Sequence, residues 1–161
     1  DDVDLDYAFD NTPCEATSCG IPGVDCDVTR TGNVMVSWKI KQAVAAWLSN
    51  ATAAEATYGH ISTWETAQVT DMSMLLYPQR TFNEDISAWN TSGVTDMYRM
   101  FGYASSFNQD IGGWRVENVR DMCWMFGYAS SFNQDISDWA VQSSVETNHR
   151  DRPAHRKLII K

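Results

Sequence analysis

Six aspartates recur in this chain at a spacing of 25 residues, Asp71, Asp96 and Asp121 in one column and Asp85, Asp110 and Asp135 in another. Carboxylates stacked about 5 Å apart, the spacing of neighbouring strands, repel one another. A hard cation such as calcium takes several carboxylate and carbonyl oxygens and would relieve that repulsion. Asp85, Asp110 and Asp135 are therefore weak calcium candidates, weakened further because the chain holds no D-x-D-x-D-G loop. Asp71, Asp96 and Asp121 each precede an apolar run with helical spacing, where a carboxylate accepts from free backbone N–H groups, so they read as structural caps. A catalytic pair should break the periodicity, and none does. With no phosphate loop, no H-E-x-x-H and no Ser/His/Asp order of note, the chain reads as non-enzymatic and without cofactor.

The cysteines carry a second chemistry. Cys14, Cys19 and Cys26 fall within 13 residues of an acidic segment rich in turn formers. That density points to a disulfide-stapled extension in an oxidising compartment. A lone C-x4-C-x6-C without a nearby His lacks paired zinc spacing. The odd cysteine either pairs with Cys123 or stays free, and four cysteines allow three pairings. Asn50 and Asn90 head acceptor sequons that matter only on a secretory route. His149 and His155 lie in a polar tail without acids at ligand spacing and read as solvated.

The aspartate spacing is that of a longer repeat. Ile61 to Asp85, Ile86 to Asp110 and Ile111 to Asp135 follow one another without a gap, a fourth copy starts at Ile136, and the last two full copies agree at 16 of 25 positions. A period of about 20 to 29 residues belongs to solenoids of the leucine-rich type, in which each coil buries its apolar side against the next. The fixed apolar columns are the candidate core: Ile61/Ile86/Ile111/Ile136, Trp64/Trp89/Trp114/Trp139, Val69/Val94/Val119, Met72/Met97/Met122, Leu75/Met100/Met125, Leu76/Phe101/Phe126 and Phe82/Phe107/Phe132. Exposed Trp rows can stack on sugars, but strict register with Ile and Val places this one inside. The spacing I-x-x-W-x-V-x-x-V sets a short strand near Trp114 to Val116, or alternatively at the V-T-D-M block. Met122, Met125, Phe126 and Ala129 have the spacing of a short helix. The expected fold is an α/β repeat, a short right-handed solenoid resembling leucine-rich repeats.

Columns that change from copy to copy belong outside, where partners are met. Met74, Arg99 and Trp124 share one such column, Tyr98 stands in the column of Ser73 and Cys123, and Arg115 and Glu117 occupy two others. These are the candidate partner-binding residues. A glycan reading would rest on Tyr98, Trp124, Tyr103 and Tyr128, if exposed.

Four regions follow. Residues 1–32 form the acidic extension, with eight acids and no base up to Asp27. Residues 33–60 form a helical cap over the first coil, with Ile40, Val44, Trp47 and Leu48 on one face, Lys39 and Lys41 elsewhere, and capping-box spacing at Thr52 and Glu55. Residues 61–141 are the repeats, and 142–161 a basic tail that either folds over the last coil or extends to a partner. The net charge of −9 hides a split, with 7 Lys and Arg against 19 acids before residue 142 and 5 against 2 after it. So acidic a body argues against nucleic acid. No apolar run approaches the roughly 18 to 20 residues that span a bilayer.

The blocks V-T-D-M (Val94 to Met97), M-F-G-Y-A-S-S-F-N-Q-D-I (Met100 to Ile111) and I-x-x-W (Ile86, Trp89) resemble the BspA-like surface proteins and the repeat of mycoplasma surface lipoproteins, a family also found in marine microalgae. The resemblance covers about Lys39 to Val141. It implies a leucine-rich-repeat-like solenoid used for adhesion or protein contact at cell surfaces or in extracytoplasmic compartments, and it brings no catalytic residues. A chain without an initiator Met or a signal core fits one whose targeting peptide has been removed. The reading is then a non-catalytic scaffold, a subunit of a larger extracytoplasmic or organelle-lumen assembly. Its partner is a protein, a membrane-associated complex or a second copy; the alternative is an adhesin binding glycan or calcium.

Overall fold

A computed structural model describes residues 32–142. The cysteines at 14, 19 and 26 and most of the basic tail lie outside these residues. The described chain begins with a short strand, β1 (Val34–Val36), that runs directly into helix α1 (Ser37–Ser49). Asn50 then ends α1 and starts α2 (Ala51–Tyr58), its side-chain oxygen accepting from the Ala53 N–H at 3.1 Å. The N-cap is thus Asn50 rather than Thr52, because the Asn carboxamide reaches the third amide of the new helix first.

The buried face of α1 holds Ile40, Ala43, Val44 and Trp47. Two expectations fail there. Leu48 faces solvent, and Lys39 is only 1% exposed. The Lys39 ammonium donates to the Val34 carbonyl at 2.8 Å, which supplies a partner for the buried charge, and burial lowers its pKa. Trp47 meets the edge of Trp64, so α1 closes the first copy of the repeat. The closure is also polar: the Ser37 hydroxyl accepts from the amides of Thr70 and Asp71, and Lys41 pairs with Asp71 at 2.7 Å.

Each copy lies against the next through hydrogen bonds between residues 24 or 25 apart. The amides of Met72 and Met97 donate to the carbonyls of Asp96 and Asp121, those of Met74 and Arg99 to Tyr98 and Cys123, and those of Leu76 and Phe101 to Met100 and Met125. Parallel bridges join Asp71 to Asp96 and Asp96 to Asp121, at the V-T-D-M block. Near the predicted strand position only the first copy has a strand, β2 (Glu65–Gln68), which pairs in parallel with β1. There, threonine hydroxyls of the first and second copies link each copy to the next. The buried Thr66 and Thr91 hydroxyls donate to the carbonyls of Asn90 and Arg115.

The expected short helix is replaced by turns. Leu75, Met100 and Met125 donate to the carbonyl three residues back, and Met74, Arg99 and Trp124 have φ of 53, 51 and 59°. A helix would aim every amide along its own axis. Here alternate amides must point at the next copy, and a left-handed residue in each turn allows that.

The apolar columns are buried. All four Ile and all four Trp positions are core, and the Phe column is buried through Phe107, with Phe132 half-buried against it. Rings stack along the repeat direction, with Trp64 to Trp89 at 6.0 Å and Phe101 to Phe126 at 5.4 Å. Among the described residues no helix is long and apolar enough to cross a membrane.

Candidate functional site

The turn that replaces the helix also builds the most distinctive surface of the chain. Among the described residues, five that are not glycine have positive φ: Met74, Arg99, Tyr103, Trp124 and Tyr128. The left-handed region costs an L-residue roughly 1 to 2 kcal/mol, and such residues cluster at ligand sites. All but Met74 line one pocket of about 140 Å³, together with Tyr77, Gly102 and Gly127.

The pocket arises from one column in which a large residue becomes small. Tyr77 of the first copy is followed by Gly102 and Gly127. The Tyr77 ring lies over Gly102, where a Cβ would stand 2.9 Å from Tyr77 Cδ2. The Trp124 ring lies over Gly127 in the same way, with Cε3 2.9 Å from the place of a Cβ. Vacant glycine surfaces thus become seats for aromatic rings.

Arg99 stands at the centre. Its guanidinium carbon is 5.1 Å from the ring centre of Tyr98, 5.8 Å from Trp124 and 5.9 Å from Tyr77. These are cation–π distances. Tyr103 meets Tyr77 edge-on at 5.8 Å and stacks on Tyr128 at 4.6 Å, and Tyr128 is 58% exposed. The ion pairs among the described residues are Lys41 with Asp71 and Arg115 with Glu117, so the Arg99 charge meets no carboxylate there.

The other candidates go elsewhere. Arg115 and Glu117 bond to each other at 2.6 Å and do not line the pocket. Met74 is exposed on the first copy. Asp71, Asp96 and Asp121 accept from the amides of Ser73, Tyr98 and Cys123 at 2.7 to 2.8 Å, each closing the start of a turn rather than of a helix. Asp85, Asp110 and Asp135 serve their own turns, accepting from Ser87, Gly112 and Ser137. No group of three or more His, Cys, Asp or Glu among the described residues could hold a metal ion. Asn50 and Asn90 are exposed, and each side-chain oxygen accepts a backbone N–H, from Ala53 and Ser92 respectively. Cys123 is half-buried.

Of the residues in variable columns, Arg99 and Trp124 line the pocket and Tyr98 lies against the Arg99 guanidinium. Variability missed Tyr77, Gly102 and Gly127, although the change from Tyr to Gly within an otherwise regular column was the available signal.

Residues 38–153 match the family described as "Mycoplasma protein of unknown function, DUF285". The chain belongs to that family. No curated protein and no solved structure matches it.

Proposed function

We propose that this chain is a non-catalytic interaction module, a short solenoid akin to the BspA-like surface repeats, which docks a protein partner on the face centred on Arg99. The observation that carries this reading is the cluster of Arg99, Trp124, Tyr77, Tyr103 and Tyr128 around one pocket, with Tyr98 against the Arg99 guanidinium. Trp, Tyr and Arg are the residue types that dominate binding energy at protein interfaces. Drug-sized ligands occupy roughly 300 to 1,000 Å³. A pocket of about 140 Å³ suits one side chain of a larger partner.

Three copies at roughly 4.8 Å each stack to about 15 Å, short for an independent receptor. A subunit of a larger extracytoplasmic or organelle-lumen assembly fits that size. The test is the native mass and density-gradient position of the protein from its own source, in gentle detergent with calcium and then with chelator. Co-migration with a large complex in both conditions supports the subunit role, and a free monomer in both refutes it. Dissociation on chelation alone would move weight to a calcium-dependent assembly.

The exposed Tyr103 and Tyr128 rings favour a second reading, a glycan-binding adhesin on the same face. Glycan-array binding that disappears with Trp124→Ala would support it.

A further inference from the structure

The pocket has a chemistry that selects its occupant. A guanidinium without a carboxylate partner among the described residues sits among Tyr and Trp rings, so the best-fitting group offers a carboxylate beside an apolar or aromatic side chain. Of the six Lys and Arg among the described residues, Lys41 and Arg115 are ion-paired and Lys39 is buried, so Arg99 is one of three cations open to an acidic ligand, with Arg80 and Arg120, and it is the one set among aromatic rings. The basic tail carries the wrong sign for Arg99.

One segment of this chain has the required chemistry. Residues 1–10 read D-D-V-D-L-D-Y-A-F-D, with Tyr7 and Phe9 interleaved among Asp6 and Asp10. From Gly32 back to Tyr7 the backbone can span up to roughly 80 Å when extended. The first to third copies of the repeat cover only about 10 Å at the inter-strand spacing. Reach is therefore no obstacle.

We propose that the segment Asp4 to Asp10 seats on the Arg99 face of its own chain, with a carboxylate on the guanidinium and Tyr7 or Phe9 against the Trp124 and Tyr128 rings, and so competes with an external partner. This rests on the reading of that face as a docking surface. It adds that the chain supplies its own competitor.

The test is fluorescence anisotropy with a labelled peptide of residues 1–12 added to the full chain and its variants. The chain carrying Tyr7→Ala and Phe9→Ala should bind the peptide at least about tenfold more tightly than the unaltered chain, whose own segment occupies the face. Adding Arg99→Gln should weaken that binding by at least about tenfold. Circular dichroism of each variant checks that the fold is intact. Equal binding to the altered and unaltered chains, insensitivity to Arg99→Gln, or no binding would each overturn the proposal. So would a mass that halves in light scattering when Tyr7 and Phe9 are replaced, since the segment would then seat on a second copy. If Arg99→Gln releases the protein from its native complex while the peptide fails to bind, only this inference falls and the docking surface stands.

Discussion

Trp89 donates its indole N–H to the carbonyl of Ile61 at 2.9 Å, across the boundary between the first two copies. Trp114 and Trp139 repeat the bond to Ile86 and Ile111, and Trp64 makes its own to Gly59. The Trp column therefore fills the core and also satisfies a buried carbonyl of the preceding copy. Trp89→Phe keeps most of the ring area and leaves the Ile61 carbonyl with only the long bond from the Trp64 backbone N–H at 3.4 Å. The expected loss is about 1 to 3 kcal/mol in urea unfolding, with an unchanged slope. A loss near zero would mean that water replaces the indole.

A second ladder runs along the exposed turn. The Asn83 side-chain oxygen accepts from the Asn108 amide, and that of Asn108 from the Asn133 amide, each at 2.8 Å. Asn108→Ala should cost about 1 kcal/mol, less than the Trp substitution because solvent can reach these groups. Chemical denaturation of both variants side by side checks the order.

The joint between cap and repeat depends on pH. Partial burial opposes the charged form of Asp71, but hydrogen bonds from Lys41 and Ser73 outweigh it and hold the carboxyl below its ordinary value of 3.8. A lowered folded pKa means that the stabilisation is full above the ordinary value and lost as pH falls through the folded one. The pair is about two-fifths exposed, so screening keeps it below about 1 kcal/mol. Asp71→Asn should lower stability by up to about 1 kcal/mol at neutral pH, and the difference from the unaltered chain should close as pH falls below about 4, which flattens the acid limb.

The column repeat made the core legible, since Ile, Trp, Val and Met kept in register at a period of 25 must face a common interior. The turn was not legible. Met122, Met125, Phe126 and Ala129 have helical spacing, and that signal cannot show that the amides of Met97, Arg99 and Phe101 are taken by the next copy. Lys39 misled for a related reason: a charged residue on a helix is expected in water, and the Val34 carbonyl that accepts from it belongs to β1, the strand before the helix. At the site, variability pointed to Arg99 and Trp124, but the pocket depends on the absence of side chains at Gly102 and Gly127.

Filling those vacancies isolates the pocket from the fold. A Cβ at Gly102 would stand 2.9 Å from Tyr77 Cδ2 and 3.2 Å from the Arg99 carbonyl. Gly102→Ala should displace the Tyr77 ring, weaken partner binding about tenfold and cost about 1 kcal/mol or less in stability, because the ring can swing outward. Native-gradient migration and urea unfolding of the same preparation separate the two effects.

The central claim is that the Arg99 face is the docking surface. Its most direct measurement is density-gradient migration of the protein expressed in its own source as the Arg99→Gln plus Trp124→Ala variant, beside Arg115→Gln as a control on another exposed column. Loss of the large complex in the first variant, retained in the control, is the predicted result. Equal co-migration of both with the complex would contradict the account.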